Sequence, residues 1–180
     1  MIIDLKAIPQ EGSKSYEFRL AKDWWNPDGR SDQISGFDTP LTVRIEIYKA
    51  GDKYILEGQL AGSLQVACDR CLRNYIRDLD SEFRVFMALP PADMEETEIE
   101  LLEEDMEIGF IRDEEIDLDE IIREQLYLSL PIKNLCKEDC LGLCPKCGSD
   151  LNEGDCMCEK EPGHPGFSKL KGLKLEGDQR

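Results

Sequence analysis

Histidine is nearly absent from this chain: His164 is the only one in 180 residues. It stands between Gly163 and Pro165 in a polar tail, and a tail cannot hold a catalytic group to the fraction of an ångström that triad or zinc-hydrolase chemistry needs. Glycine loops of the Walker or dinucleotide-binding kind are missing as well. No apolar run approaches the ~20 residues that cross a bilayer. Residues 1–10 include an acid and no long apolar core, so they do not read as a secretory signal, and a cytoplasmic location is expected. Positive charge is scarce, with 22 Lys and Arg against 39 Asp and Glu and a net charge of −17. These absences point away from an enzyme, a membrane partner and a small-molecule substrate.

The acidity is local. Residues 93–120 hold fifteen acids and one base, Arg112, so the rest of the chain carries a net charge of only about −3. The block reads as a solvated linker over 92–106 followed by an exposed helix start. A chain of this length forms one domain with a proper core and leaves room for a small appendage.

Leu41, Val43, Ile45 and Ile47 alternate with Thr42, Arg44 and Glu46, the pattern of a half-buried strand. After a turn at Ala50-Gly51-Asp52, apolar residues or glycines take every second position from Tyr54 to Cys68, which predicts one long strand or two colinear ones. Gly58 and Gly62 fall on its inner face, where missing side chains permit sharp curvature or a bulge. Residues 82–89 and 16–20 predict further strands, 107–112 an edge strand, and 26–36 a loop after Trp24-Trp25. Asp117 opens a helix with acids in its first turn, and Pro131 ends it. The expected fold is α+β: a curved antiparallel sheet or partly open small barrel over about 14–90, one main helix near 118–130, and a zinc-knuckle C-terminal segment. We divide the chain into a sheet-plus-helix domain at 1–131, a cysteine-rich segment at 132–160 and a flexible tail at 161–180.

Eight cysteines form four close pairs. Without a secretory signal, disulfides are not expected, and C-x2-4-C pairs that come in fours point to tetrahedral thiolate metal sites. Cys144-Pro-Lys-Cys147-Gly is a zinc-knuckle sequence, and Cys156-Met-Cys158 follows after a spacer that a short hairpin can close. These four predict one zinc site. Cys68-Asp-Arg-Cys71, at the end of the long strand, and Cys136 and Cys140 offer a second. Two zinc ions are expected, with one as the fallback. Rival arrangements stay open: Cys136, Cys140, Cys144 and Cys147 on one ion, plain buried thiols at Cys68 and Cys71, or an iron–sulfur cluster on the radical-SAM-like spacing of Cys140, Cys144 and Cys147.

With these residues in place the chain resembles the YceD family of large ribosomal RNA subunit accumulation proteins. Cys68-Asp-Arg-Cys71-Leu is similar to its C-x-R-C knuckle. Glu115-Ile-Asp-Leu and the helix ending Leu128-Ser-Leu-Pro131 are similar to its mid-chain signature. The run from Leu135 to Cys158 is similar to the cysteine-rich ending of many members. His164-Pro165-Gly166-Phe167 resembles the terminal motif, with His164 where an acid or Asn is usual. The resemblance spans about residues 40–175. It implies a part in accumulation of large-subunit ribosomal RNA and no catalytic activity.

Two ways of acting follow. Arg70, Arg73 and Arg77 around the first knuckle, with Lys169, Lys171 and Lys174 in the tail, would grip ribosomal RNA through its phosphates. Alternatively the zinc appendage and Phe167, Leu170 and Leu173 dock a basic ribosome-assembly protein, which the net negative charge favours. The same adaptor could also serve a role unrelated to ribosomal RNA.

Overall fold

Alternating apolar and polar residues make most of the first unit a sheet. The computed structural model describes residues 1–25, 33–89, 108–111 and 114–158. Its strands are β1 (Ile2–Asp4), β2 (Ser13–Leu20), β3 (Ile34–Phe37), β4 (Leu41–Ala50), β5 (Lys53–Ala67), β6 (Asn74–Ala88), β7 (Ile108–Phe110) and β8 (Glu115–Asp117), followed by helix α1 (Leu118–Leu128). Six strands form one curled, half-barrel sheet in the order β2-β4-β5-β6-β7, with β3 also on β5. β1 and β8 make a separate antiparallel ribbon. The chain divides into two compact units, Met1–Cys140 and Leu141–Arg180.

The long β5–β6 hairpin is the spine of the first unit. It pairs without a break from Lys53 opposite Ala88 to Ala67 opposite Asn74. β4 covers β5 from Lys53 to Ala61, and β3 takes Leu64 to Val66. Inward residues of β4 and β5, among them Val43, Ile47, Leu56, Leu60 and Leu64, are fully buried. Leu118, Ile122 and Leu126 of α1, four apart and so on one face, join the same core. Asp117 caps the helix by accepting from Asp119 N at 2.9 Å, where the sequence places its start. Ser129 closes it two residues before Pro131.

Aromatic side chains fasten the β2–β3 connection to the helix. Trp24 Nε1 donates to Asp119 Oδ1 at 2.7 Å, and Trp25 Nε1 donates to the Ile34 carbonyl at 3.0 Å. The Arg123 guanidinium lies 4.7 Å from the Trp24 ring centre and 5.2 Å from that of Trp25, within cation–π range.

Several elements differ from expectation. Residues 26–36, read as loop, contain the start of β3. β6 begins at Asn74 rather than 82 because its first half bears charge on an exposed face and little apolar signal. β7 pairs with β6 in parallel, so the sheet is not wholly antiparallel. The expected acidic linker at 92–106 lies outside the described residues. Gly58 and Gly62 produce no bulge, and the pairing of β5 runs straight through both. Instead, Tyr16, Ile45, Gly58 and Phe83 stand in one row across four strands, and the Phe83 ring lies over Gly58 where a Cβ would sit. The glycine makes room for the ring, and the ring covers the glycine.

Gly58→Ala should therefore push the Phe83 ring off the sheet and lower stability by about 1–2 kcal/mol. In a Phe83→Ala background the same change should cost much less. Denaturant unfolding of the four chains of this cycle measures the coupling, and additive effects would show that the ring and the glycine do not interact.

Candidate metal centres

The turn that joins β5 to β6 is itself a C-x-x-C knuckle, from Cys68 to Cys71. Cys68 N donates to the Arg73 carbonyl at 2.9 Å and Leu72 N to the Cys68 carbonyl at 2.9 Å. This tight turn puts Leu72 at φ 59°, a left-handed conformation that costs a residue with a Cβ about 1 kcal/mol or more. In the second unit, Cys144 N donates to the Ser149 carbonyl at 2.8 Å and Gly148 N to the Cys144 carbonyl at 2.9 Å. Gly148 has φ 74°. The two turns share one hydrogen-bond pattern, with leucine in the first where the second has glycine.

Each knuckle meets a second pair of cysteines. The sulfurs of Cys68, Cys71, Cys136 and Cys140 all lie within 4.8 Å of one another, and so do those of Cys144, Cys147, Cys156 and Cys158. Cys68 and Cys140 are 3.8 Å apart, and Cys71 and Cys136 3.7 Å. Four sulfurs about 2.3 Å from a tetrahedral ion would stand about 3.8 Å apart, whereas a disulfide needs about 2.05 Å. The arrangement with Cys136, Cys140, Cys144 and Cys147 together is not the one formed. The iron–sulfur spacing of Cys140, Cys144 and Cys147 is likewise divided between the two clusters. Cys68 and Cys71 are buried, but against two other thiols rather than in an apolar core.

The electrostatics of the first cluster ask for a cation. Burial opposes a thiolate at Cys68, but hydrogen bonds from the backbone N–H groups of Cys71, Cys136 and Arg70 outweigh it and bring its pKa down to about 6. Cys136 is pushed up to about 12 by burial and by the neighbouring Cys140, Cys71 and Cys68. One sulfur gives up its proton readily and another resists, as expected of thiols packed without a counter-charge. In the second cluster the Ser149 hydroxyl and backbone N–H bring Cys147 to about 6, while hydrogen bonding with Cys147, then burial, pushes Cys158 up to about 12. The first cluster is largely buried. The second is more open, with Cys147 exposed.

Contacts that the sequence did not announce brace the first cluster. Asp69 N donates to the Asn134 carbonyl at 2.8 Å, and Asn134 N donates to Asp69 Oδ2 at 2.6 Å. Arg70 Nη1 donates to the Cys140 carbonyl at 2.7 Å. Arg70 thus holds the Cys136–Cys140 turn against the knuckle. Arg73 is exposed and has partners of its own. Arg77 is half-buried, opposite Leu64 on β5. Lys169, Lys171 and Lys174 lie outside the described residues. An aspartate inside a C-x-x-C turn was the one visible hint of the clamp, and nothing in sequence marked Asn134 as its partner.

The family model described as "Large ribosomal RNA subunit accumulation protein YceD" matches residues 56–174, which includes both clusters. The chain belongs to the YceD family. It is 25% identical over 195 residues to the chloroplastic "Large ribosomal RNA subunit accumulation protein YCED homolog 1" of Arabidopsis thaliana, covering 96% of this chain and 58% of that protein. The YceD homolog 1 of Zea mays is 24% identical, covering 75% of this chain and 54% of its own length. An uncharacterized protein of Mycobacterium tuberculosis is 34% identical over 124 residues, 69% of this chain and 53% of that protein. The chain spans about half the length of these curated relatives. No solved structure matches it.

The leucine in the YceD knuckle is open to test. Leu72 is 67% exposed, so Leu72→Gly removes left-handed strain and little packing. Stability should stay level or rise by up to about 1 kcal/mol. Gly148→Ala should loosen the second knuckle and speed metal release to a chromogenic chelator. A marked fall in melting temperature for Leu72→Gly would show that its side chain is needed by the fold.

Proposed function

We propose that the chain is a non-enzymatic, zinc-stabilised factor that supports accumulation of large-subunit ribosomal RNA by docking a basic partner in subunit assembly. The observation that carries the zinc assignment is the pair of four-sulfur clusters at tetrahedral spacing. Cys68, Cys71, Cys136 and Cys140 would hold one ion, and Cys144, Cys147, Cys156 and Cys158 the other. An all-cysteine set suits zinc, and four protein ligands leave no open position for a catalytic water. The ions would supply folding free energy rather than chemistry. Backbone N–H groups aimed at the Cys68 and Cys144 sulfurs stabilise the thiolates that zinc requires.

The names of the plant relatives, together with family membership, support the ribosomal role. The protein-docking mode is favoured by the net charge of −17, which repels RNA and attracts basic proteins. It is favoured too by Arg70, whose guanidinium is already engaged with the Cys140 carbonyl. Arg70 is therefore a brace of the first knuckle rather than part of a free phosphate-binding patch.

Protein purified without added metal should contain two zinc ions per chain by elemental analysis. Cys147→Ser should lose one ion and leave the sheet intact by circular dichroism. Cys71→Ser should lose the other and destabilise the first unit. One ion in the unaltered chain would reduce the zinc reading to a single site, and iron would overturn it. In a strain lacking the protein, the full chain should restore large-subunit ribosomal RNA, while binding to rRNA fragments at physiological salt should be weak. Tight, salt-dependent rRNA binding that Arg73→Ala/Arg77→Ala abolishes would replace protein docking with direct RNA recognition.

A further inference from the structure

We infer that a groove between the β7 edge of the sheet and helix α1 is the docking site for a basic, amphipathic segment of a protein partner. This rests on the reading of the chain as a factor that docks a basic protein, and it names the surface that does so. The groove measures about 520 Å³. Val85, Met87, Ile116 and Ile121 contribute to its floor, and two of its lining side chains, Ile2 and Phe110, are 67% and 40% exposed. Glu115, Asp117, Glu120 and Glu124 also line it, and among the described residues no Lys or Arg does.

The helix explains the arrangement. Asp117, Glu120, Ile121 and Glu124 fall at i, i+3, i+4 and i+7, one stripe of a helix. That stripe runs beside the one that buries Leu118, Ile122 and Leu126. Glu120 and Glu124 form no ion pair among the described residues. Asp117 and Glu120 serve the start of the helix, as its cap and a first-turn acid, but neither role accounts for Glu115 and Glu124 beside exposed apolar side chains. A segment with apolar residues on one side and Lys or Arg flanking them suits both the carboxylates and the apolar side chains. It would cover the floor, and its cations would meet Glu115, Glu120 and Glu124, Asp117 being engaged with the helix N-terminus and the Met1 ammonium. Among the described residues β7 ends the strand order of its sheet, an edge to which an extended segment could also add. RNA fits poorly, because the lining meets its phosphates with carboxylates.

The test uses the full chain as purified and two fluorescent peptides of about 18 residues, Leu and Lys at helical amphipathic spacing and Leu and Lys in strict alternation. A scrambled peptide of the same composition is the control. At least one amphipathic peptide should bind measurably, and the scrambled one about tenfold more weakly. Glu120→Lys/Glu124→Lys should weaken binding about tenfold or more, and so should Phe110→Glu. Glu46→Lys/Glu82→Lys makes the same charge change on the opposite, polar face of the sheet and should weaken it less than about twofold at physiological salt, by screening. The inference is overturned if neither amphipathic peptide binds, if the scrambled peptide binds equally, or if the Glu46→Lys/Glu82→Lys chain loses as much. It is overturned as well if an rRNA fragment, rather than the peptides, is what the groove variants fail to bind. The same variants, tested for restoration of large-subunit rRNA, separate the two readings. A groove variant that restores normal rRNA while losing the peptide removes the docking role from this surface and leaves the proposed function standing. Failure of the unaltered chain to restore rRNA defeats the proposed function and leaves the peptide result to judge the groove.

Discussion

Four sulfurs at the tip of the β5–β6 hairpin fix where the longest strands of this protein turn and where the chain must come back to meet them. Within the turn, the backbone hydrogen bonds of Cys68 N and Leu72 N are those of the knuckle itself. Cys71 and Cys136 are 65 positions apart, and a crosslink over a loop of that length removes about 4 kcal/mol of chain entropy from the unfolded state. Against that stands the difficulty of packing four thiolates within 4.8 Å. A divalent cation would resolve it, and the hydrogen bonds from backbone N–H groups to Cys68 lower the first proton's hold in advance. The Asp69–Asn134 clamp and the Arg70 bond to Cys140 set the returning segment in place, so the protein itself holds the four cysteines together.

The curl of the hairpin decides what the helix can do. Gly58 lets the Phe83 ring lie flat across β5, and the buried row of β4 and β5 turns toward α1. An 11-residue helix is marginal by itself. It is held by Leu118, Ile122 and Leu126 in the core and by the Trp24, Trp25 and Arg123 cluster on its other flank. Once those two faces are taken, the stripe of Asp117, Glu120, Ile121 and Glu124 is what remains to border the groove beside β7. The acidic groove is thus a consequence of how a short helix is seated.

Strand periodicity made β4 and β5 legible because each has one face in the core and one in water. The helix was legible from its cap and its i, i+4 leucines and isoleucines, and the cysteine clusters from spacing alone. β3 escaped because four residues with Ile34 and Phe37 at the ends carry too short a pattern to stand out from a loop. The first half of β6 escaped because Ile76, Asp78 and Asp80 look outward while only Leu79 is buried. β7 joins in parallel, and long-range register of that kind leaves no local trace. The same holds for Asp69 with Asn134 and for Arg70 with Cys140, whose partners lie some 65 to 70 positions away.

The two clusters share a knuckle but not a folding problem. The second gathers its ligands from residues 144–158, so it can close as soon as that segment exists. The Leu143–Asp150 bridge and the Asn152 side chain, which accepts from Leu141 N at 3.0 Å, keep the segment short. The first cannot form until β5, β6 and the helix have brought 136–140 back to the turn, and such long-range closure comes late. Metal lost from the second cluster should leave the sheet untouched. Metal lost from the first would leave the hairpin tip held only by the Asp69–Asn134 clamp and the Arg70 bond. The buried cluster therefore joins distant parts of the first unit, and the more open one gathers its cysteines from within the second unit alone.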